Sequence, residues 1–322
     1  MNVNELTKEV LEGKQITKEE ALFLYRQPLL ALCENADKIR RHFCSNHFDL
    51  CTIVNAKSGG CSEDCKFCAQ SARSHTGAAF YPLLSRKEIV RQARRNHEQG
   101  VIRYSIVTSG KRLSDKEVDE MCGTVREIKE TVGISVCVSF GLLDERQFRR
   151  LKEAGVSRVH NNLETSRKNF PNICTTHTFE EKVQAIRAAQ AAGLSVCSGG
   201  IMGLGETAED RIDMALSLRE LGIQSVPVNL LNPIPGTPFE NNERLTEEEM
   251  RRIVAVYRFI LPKASIRLAG GRGLLSDKGK SCLTSGANAA ISGDMLTTAG
   301  ITTKTDMKLL QELGYEVKIC NE

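Results

Sequence analysis

Eight short apolar runs, separated by amphipathic and charge-bearing segments, constrain this chain more than any other feature. They lie at 50–54, 102–107, 134–140, 156–160, 194–200, 224–229, 264–269 and, more weakly, 287–291. Between them fall helical patterns such as SRKEIVRQARRNHEQG, DERQFRRLKEAG and TAEDRIDMALSLRELG, several opening on Ser, Thr or Asp and closing on Gly as helix caps predict. Strand and helix in alternation imply a parallel sheet covered by helices, and eight such units suggest closure. The expectation is an α/β fold, an eight-stranded (β/α)8 TIM-type barrel with extra N-terminal helices and a C-terminal helix. Residues 1–45 read as a helical extension, 46–301 as the barrel and 302–322 as a terminal helix and tail, within a single domain overall.

The 322 residues suffice for one large barrel, and a net charge of +4 without a block of like charges argues against a nucleic-acid partner. Residues 1–20 lack an apolar stretch before a small-residue cleavage site, and no later run has the length needed to span a bilayer. A cytoplasmic protein with no membrane partner is expected. Twelve cysteines in such a chain point to metal binding or chemistry rather than to disulfides.

Three of them, Cys61, Cys65 and Cys68, crowd the run GGCSEDCKFCAQS. A structural zinc site wants four ligands, normally in two separated pairs. Three thiolates can instead hold a four-iron cluster and leave one iron open, since each iron usually takes one thiolate. The loop follows the first apolar run, at the strand ends where barrel enzymes place their active sites. The C-x3-C-x2-C spacing resembles the signature of the radical S-adenosylmethionine enzymes, in which the open iron of a 4Fe-4S cluster chelates S-adenosylmethionine. Phe67 fits the aromatic position that this pattern sets against the adenine.

A barrel interior is normally filled by branched aliphatic side chains. Here Cys51, Arg103 with Ser105, Cys137, Cys197 and Arg267 interrupt the apolar runs. One free cysteine packs as a small hydrophobe without further meaning, but three in three strands beside arginines make a polar interior the better reading. A buried guanidinium cannot shed its proton and needs an anionic partner. Arg267 is therefore read as facing a thiolate-ligated cluster. Cys33, Cys44, Cys122, Cys174, Cys282 and Cys320 read as ordinary burial or exposure.

Together, CSEDCKFCAQS, CSGGIMGLGET at 197–207, SVPVNLLNPIPGTP at 225–238 and RLAGGR at 267–272 resemble the biotin synthase family, over about residues 45–300. The resemblance implies a dimeric (β/α)8 barrel that inserts sulfur into dethiobiotin, with flavodoxin or ferredoxin as reductant. It places Asn162 and Glu164 on the cofactor ribose, backbone near Ile201 against the adenine, and Lys182 on the methionine carboxylate. Asn229 matches a position that bonds the ureido ring of dethiobiotin, and His160 stands where the family carries a substrate-contacting asparagine. The family's auxiliary two-iron cluster is held by three cysteines and an arginine. Cys137, Cys197 and Arg267 match that set, but the second-strand cysteine is Ser105 here, the first strand has gained Cys51, and Ala289 stands where a serine is often found near the arginine. These departures favour a four-iron auxiliary cluster on Cys51, Cys137 and Cys197, carrying an extra sulfide as the sulfur donor, over a 2Fe-2S cluster. A hydrogenase-maturation or methylornithine-type radical enzyme and a non-catalytic iron–sulfur scaffold are the alternative readings.

Overall fold

The computed structural model describes residues 2–321. Its strands are β1 (His47–Lys57), β2 (Arg103–Thr108), β3 (Ser135–Ser139), β4 (Val156–His160), β5 (Ser195–Cys197), β6 (Gly200–Met202), β7 (Ser225–Leu230), β8 (Ser265–Leu268), β9 (Ala289–Ser292) and β10 (Glu316–Val317). Strands β1 to β5, then β7, β8 and β9, pair in parallel order, and β9 pairs back onto β1 with Asp49 opposite Ala289. The closed eight-stave barrel is thus present, with β5 and β6 as two halves of one stave, both paired with β7. The break falls at Gly199, where a Cβ would lie 2.0 Å from the Pro227 carbonyl oxygen, so the chain must bend and only glycine fits.

The helices are α1 (Val3–Leu11), α2 (Lys18–Tyr25), α3 (Leu29–Cys44), α4 (Arg86–Glu98), α5 (Asp115–Thr131), α6 (Glu145–Glu153), α7 (Phe170–Ile173), α8 (Phe179–Ala191), α9 (Ala208–Glu220), α10 (Glu247–Ile260), α11 (Lys280–Leu283) and α12 (Thr303–Glu312). Their starts follow from capping chemistry. Ser114 with Glu117, Asp144 with Gln147, Thr178 with Glu181 and Thr207 with Asp210 each close a reciprocal box that satisfies two orphan backbone donors. Each such N-cap is worth about 1 kcal/mol. Helices α4 and α6 bury a stripe of Ile89, Val90 and Ala93 or of Phe148 and Leu151 against the sheet and leave their charges outward.

The first three helices lie outside the barrel, α3 along α10 and α2 against α9 and α10. They are tied there by part-buried polar contacts: Arg211 of α9 donates to the Tyr25 hydroxyl, and Arg252 of α10 donates to the Tyr25 and Gln27 carbonyls.

Beyond α12 the chain does more than form a tail. Strand β10 adds to the outer side of β1, with His47 opposite Glu316. The chain then crosses the N-terminal mouth of the barrel. The Cys320 amide donates to Asp49, the Asn321 side chain donates to the carbonyls of Gln224 and Lys263, and the carbonyls of Cys320 and Asn321 accept from Arg158. That end of the barrel is closed by backbone.

Candidate active site

The barrel is layered by charge, because alternate residues of each strand point inward. The lowest layer holds Asp49 of β1, Arg103 of β2, Arg158 of β4 and Arg267 of β8, all fully buried. Arg267 donates to the Asp49 carboxylate at 2.6 Å and to the Asp49 and Ala290 carbonyls at 2.9 and 3.0 Å. Arg103 reaches the same carboxylate twice at 3.3 Å, and Arg158 lies 3.7 Å from it. Burial alone would raise the Asp49 carboxyl, but these three guanidiniums hold it far below the usual carboxylate range. The anionic partner expected for Arg267 in a cluster is therefore supplied first by Asp49, a residue that sequence reasoning did not single out. The clue was present: Asp49 lies two residues before Cys51 and so shares its face.

Above this floor come Cys51, Cys137 and Cys197, on β1, β3 and β5, each with no exposed surface. Burial pushes the Cys51 thiol up to about 12. Burial also acts to raise Cys137, but Arg103, whose Nη1 lies 3.7 Å from its sulfur, and the neighbouring His160 bring it below the ordinary thiol value. Ser225 donates to the Cys197 sulfur at 3.2 Å. In the same interior, Arg267 Nε and Ser105 Oγ are buried without a hydrogen-bond partner among the described residues. Buried polar atoms are rarely left this way unless a further group completes them, so the interior fits a thiolate-ligated cluster.

At the opposite, C-terminal end of the strands, a cavity of about 300 Å³ opens between the strand tips and the following loops. Phe67 and Cys68 of the cysteine loop form part of its wall, with His160, Asn162, Glu164, Ile201 and Asn229 around it. The loop leaves β1 through Gly59 and Gly60, both left-handed at φ of 75° and 61°. It is then pinned by Cys61 N to Gln70 O, Ala72 N to Cys61 O and Cys68 N to Cys65 O. All three thiols are partly exposed.

Among the described residues, neither sequence-predicted cysteine triad brings three ligand atoms within 4.8 Å of one another. A single tetrahedral zinc would need sulfurs about 3.8 Å apart, from zinc–sulfur bonds of about 2.3 Å. Wider spacing suits thiolates that each hold a different corner of a cluster.

The cavity wall is equally specific. Glu164 sits at φ 70°, a conformation that non-glycine residues adopt at a cost of order 1 kcal/mol. Its carboxylate is buried with Oε2 unpartnered, and burial raises its pKa while Lys182 on α8 opposes the shift. The Ile201 amide donates to the Glu164 carbonyl, placing β6 against this turn. His160 Nε2 is likewise buried and unpartnered. Asn229 is more occupied than expected: it donates to the Gly200 carbonyl at 3.0 Å and accepts from the Gly270 amide at 2.8 Å. One N–H and one lone pair of its amide stay free for a ligand. Buried acceptors and donors lacking partners around a cavity walled in part by Phe67 and Cys68 of the cysteine loop are what a polar, cluster-chelated cofactor would complete.

The segment Cys174–His177 also escapes sequence reasoning, which reads Cys174 as ordinary burial or exposure and does not single out His177. The structure packs it directly against the cysteine loop, with the Asp64 carboxylate accepting from the amides of Thr175 and Thr176 at 2.8 and 3.2 Å. Nothing local in the sequence ties positions 109 residues apart, so no signal could have found it.

Comparison with known proteins agrees with this geometry. The profile of the radical SAM superfamily matches residues 56–218, and that of the biotin and thiamin synthesis associated domain matches residues 227–316. A biotin synthase of Brachyspira hyodysenteriae is 59% identical over 320 residues, covering 99% of this chain and 96% of that protein. One of Akkermansia muciniphila is 57% identical over 314 residues, covering 98% of each. Among solved structures, methylornithine synthase (PylB) superposes with a TM-score of 0.84 at 21% identity, covering 98% of this chain and 97% of that one. The hydrogenase maturase HydG of Carboxydothermus hydrogenoformans gives 0.82 at 17%, covering 99% and 80%. The last two share the fold alone, so neither of the alternative radical chemistries is favoured. A cysteine loop at the mouth of a closed barrel, a cavity lined by unsatisfied polar groups and relatives more than half identical along the whole chain lead to one assignment: this chain belongs to the biotin synthase family of the radical S-adenosylmethionine superfamily.

Proposed function

We propose that this protein inserts sulfur into dethiobiotin to form biotin, with Cys61, Cys65 and Cys68 holding a 4Fe-4S cluster at the barrel mouth. The observation that carries the reading is two cysteine triads in one barrel, one partly exposed in the loop after β1 and one buried on β1, β3 and β5. When bound, the loop cluster and S-adenosylmethionine supply a 5′-deoxyadenosyl radical able to take hydrogen from an unactivated carbon, and the interior cluster supplies sulfur.

The chain's own part is binding, orientation and exclusion of water. Asn162 and Glu164 hold the ribose hydroxyls, the Ile201 backbone and Phe67 flank the adenine, and Lys182 places a point charge near the methionine carboxylate. Asn229 offers its remaining donor and acceptor to the ureido ring, and His160 offers Nε2 to the substrate between the two triads. Cys51, Cys137 and Cys197 hold the interior cluster, with Arg267 Nε turned toward it. The interior carries two more positive than negative side chains, counting Arg103, Arg158, Arg267 and Asp49. An anionic cluster offsets that excess. A four-iron cluster with an added sulfide suits three thiolates from alternate staves better than a two-iron one.

Twelve thiols free of disulfides suit a reducing compartment, with flavodoxin or ferredoxin as electron donor and a homodimer as the working state. No described helix is long and apolar enough to cross a membrane. The decisive experiment is anaerobic: reduced, reconstituted protein given S-adenosylmethionine should release deoxyadenosine in a dethiobiotin-dependent manner and form biotin. Cleavage indifferent to dethiobiotin, or none at all, refutes the proposal.

A further inference from the structure

Beside the cysteine loop, Cys65, Cys174 and His177 bring three ligand atoms within 4.8 Å of one another. They are the described residues that meet this condition, and two of the three lie outside the loop triad. The sulfurs of Cys65 and Cys174 are 3.7 Å apart. A tetrahedral ion with metal–sulfur bonds of about 2.3 Å sets that edge at about 3.8 Å. From Cys174 the two ring nitrogens of His177 lie at 3.3 Å (Nδ1) and 3.8 Å (Nε2). The same ion with a metal–nitrogen bond of about 2.0 Å requires a sulfur–nitrogen edge of about 3.5 Å, and Nε2, the nitrogen left to bind once Nδ1 faces Glu63, stands close to it at 3.8 Å.

The surroundings hold the group in place. His177 is buried, and its Nδ1 lies 2.7 Å from the Glu63 carboxylate, the kind of partner that fixes imidazole orientation at metal sites. Asp64 clamps the 174–177 segment through the amides of Thr175 and Thr176, and the Lys66 amide donates to the Ile173 carbonyl. The group is therefore stitched to the loop from both sides.

We propose that Cys65, Cys174 and His177 form a mononuclear site for a zinc- or ferrous-type divalent ion, filled when the loop lacks its cluster. Two thiolates and an imidazole suit such ions, and a water takes the fourth position. Cys65 serves both sites, so the ion and the four-iron cluster exclude one another. That exclusion rests on the function proposed above, whereas the mononuclear site stands on its own geometry. A ferrous ion here would be the first iron delivered to the loop, and a zinc ion would block loading.

The test uses the full chain, freed of iron by chelation without oxygen, and Co²⁺ as the probe. One Co²⁺ per chain is expected, with sulfur-to-cobalt charge-transfer absorption and tetrahedral visible bands. Cys174→Ala and His177→Ala should each weaken binding at least tenfold, while Cys61→Ala and Cys68→Ala leave it unchanged. Equal binding in the first pair, or its loss in the second, overturns the site. Cobalt-edge X-ray absorption of the unmutated protein gives a second reading that needs no variant: two sulfurs in the shell support the site and three refute it. Four-iron loading of Cys61→Ala protein separates the two ideas, because full loading there would sink the loop assignment without touching the mononuclear site.

Discussion

Replacing Asp49 by Asn keeps the shape of the barrel floor and removes the carboxylate that Arg103, Arg158 and Arg267 share. Removing one partner of a buried ion pair costs about 3–5 kcal/mol, because the remaining charge is left uncompensated. Three guanidiniums depend on Asp49, yet each keeps neutral acceptors: Arg267 two carbonyls, Arg158 two carbonyls of the tail, and Arg103 the hydroxyls of Ser135 and Ser157. The loss is therefore placed near the upper end, about 5 kcal/mol, rather than at three times that value. With a urea slope of about 3 kcal/mol/M, the unfolding midpoint drops by about 1.7 M. The acid side gives an independent check. Asp49 is held below its ordinary value in the folded state, so its stabilisation is present above about pH 4 and fades as the pH falls toward the depressed value. Asp49→Asn protein should lose that part of the acid dependence. Urea curves at pH 7 showing a loss under about 1 kcal/mol at unchanged slope would refute the charge-network account.

Three further outcomes are expected. Cys51→Ala, Cys137→Ala and Cys197→Ala proteins, loaded without oxygen, should each lose about four irons yet still cleave S-adenosylmethionine, and parental iron content in all three overturns the interior assignment. Gly60→Ala places a Cβ 2.6 Å from the Phe80 ring at φ 61°, and should destabilise the loop by about 1–2 kcal/mol. Pairing it with Phe80→Ala relieves the clash but not the backbone strain, so full recovery in the double variant contradicts the reasoning. Deleting residues 316–321 unpairs β10 and takes two carbonyl acceptors from buried Arg158, for a loss of about 2 kcal/mol or more, and an unchanged urea midpoint argues that the tail is passive.

The barrel was legible because its strands alternate with capped helices, and period-2 and period-3.6 patterns survive in a single sequence. Boundaries moved where local chemistry intervened. The run at 194–200 is two strands because Gly199 passes close to Pro227, and β1 extends back to His47 because its lower end pairs with β10, a contact made by chain 269 residues later. The polar interior was foreseen from Cys51, Cys137, Cys197 and Arg267, whereas the floor was not: Asp49 offered one clue in sharing the face of Cys51, but Arg158 acquires meaning only when the barrel closes. Cys174 shows the same limit: a thiol beside another is a property of the folded surface, and nothing in ICTTH announces its neighbour.

The closure of the barrel's lower mouth by residues 316–321 has a consequence for biogenesis. These residues leave the ribosome after every stave has been made, so a nascent barrel stands open at its base and its arginine floor lacks its final acceptors until they follow. Locking of the interior is thus a late event. The buried thiols of β1, β3 and β5 can be reached from both ends of the barrel until these residues dock, and afterwards only from the loop-guarded upper end.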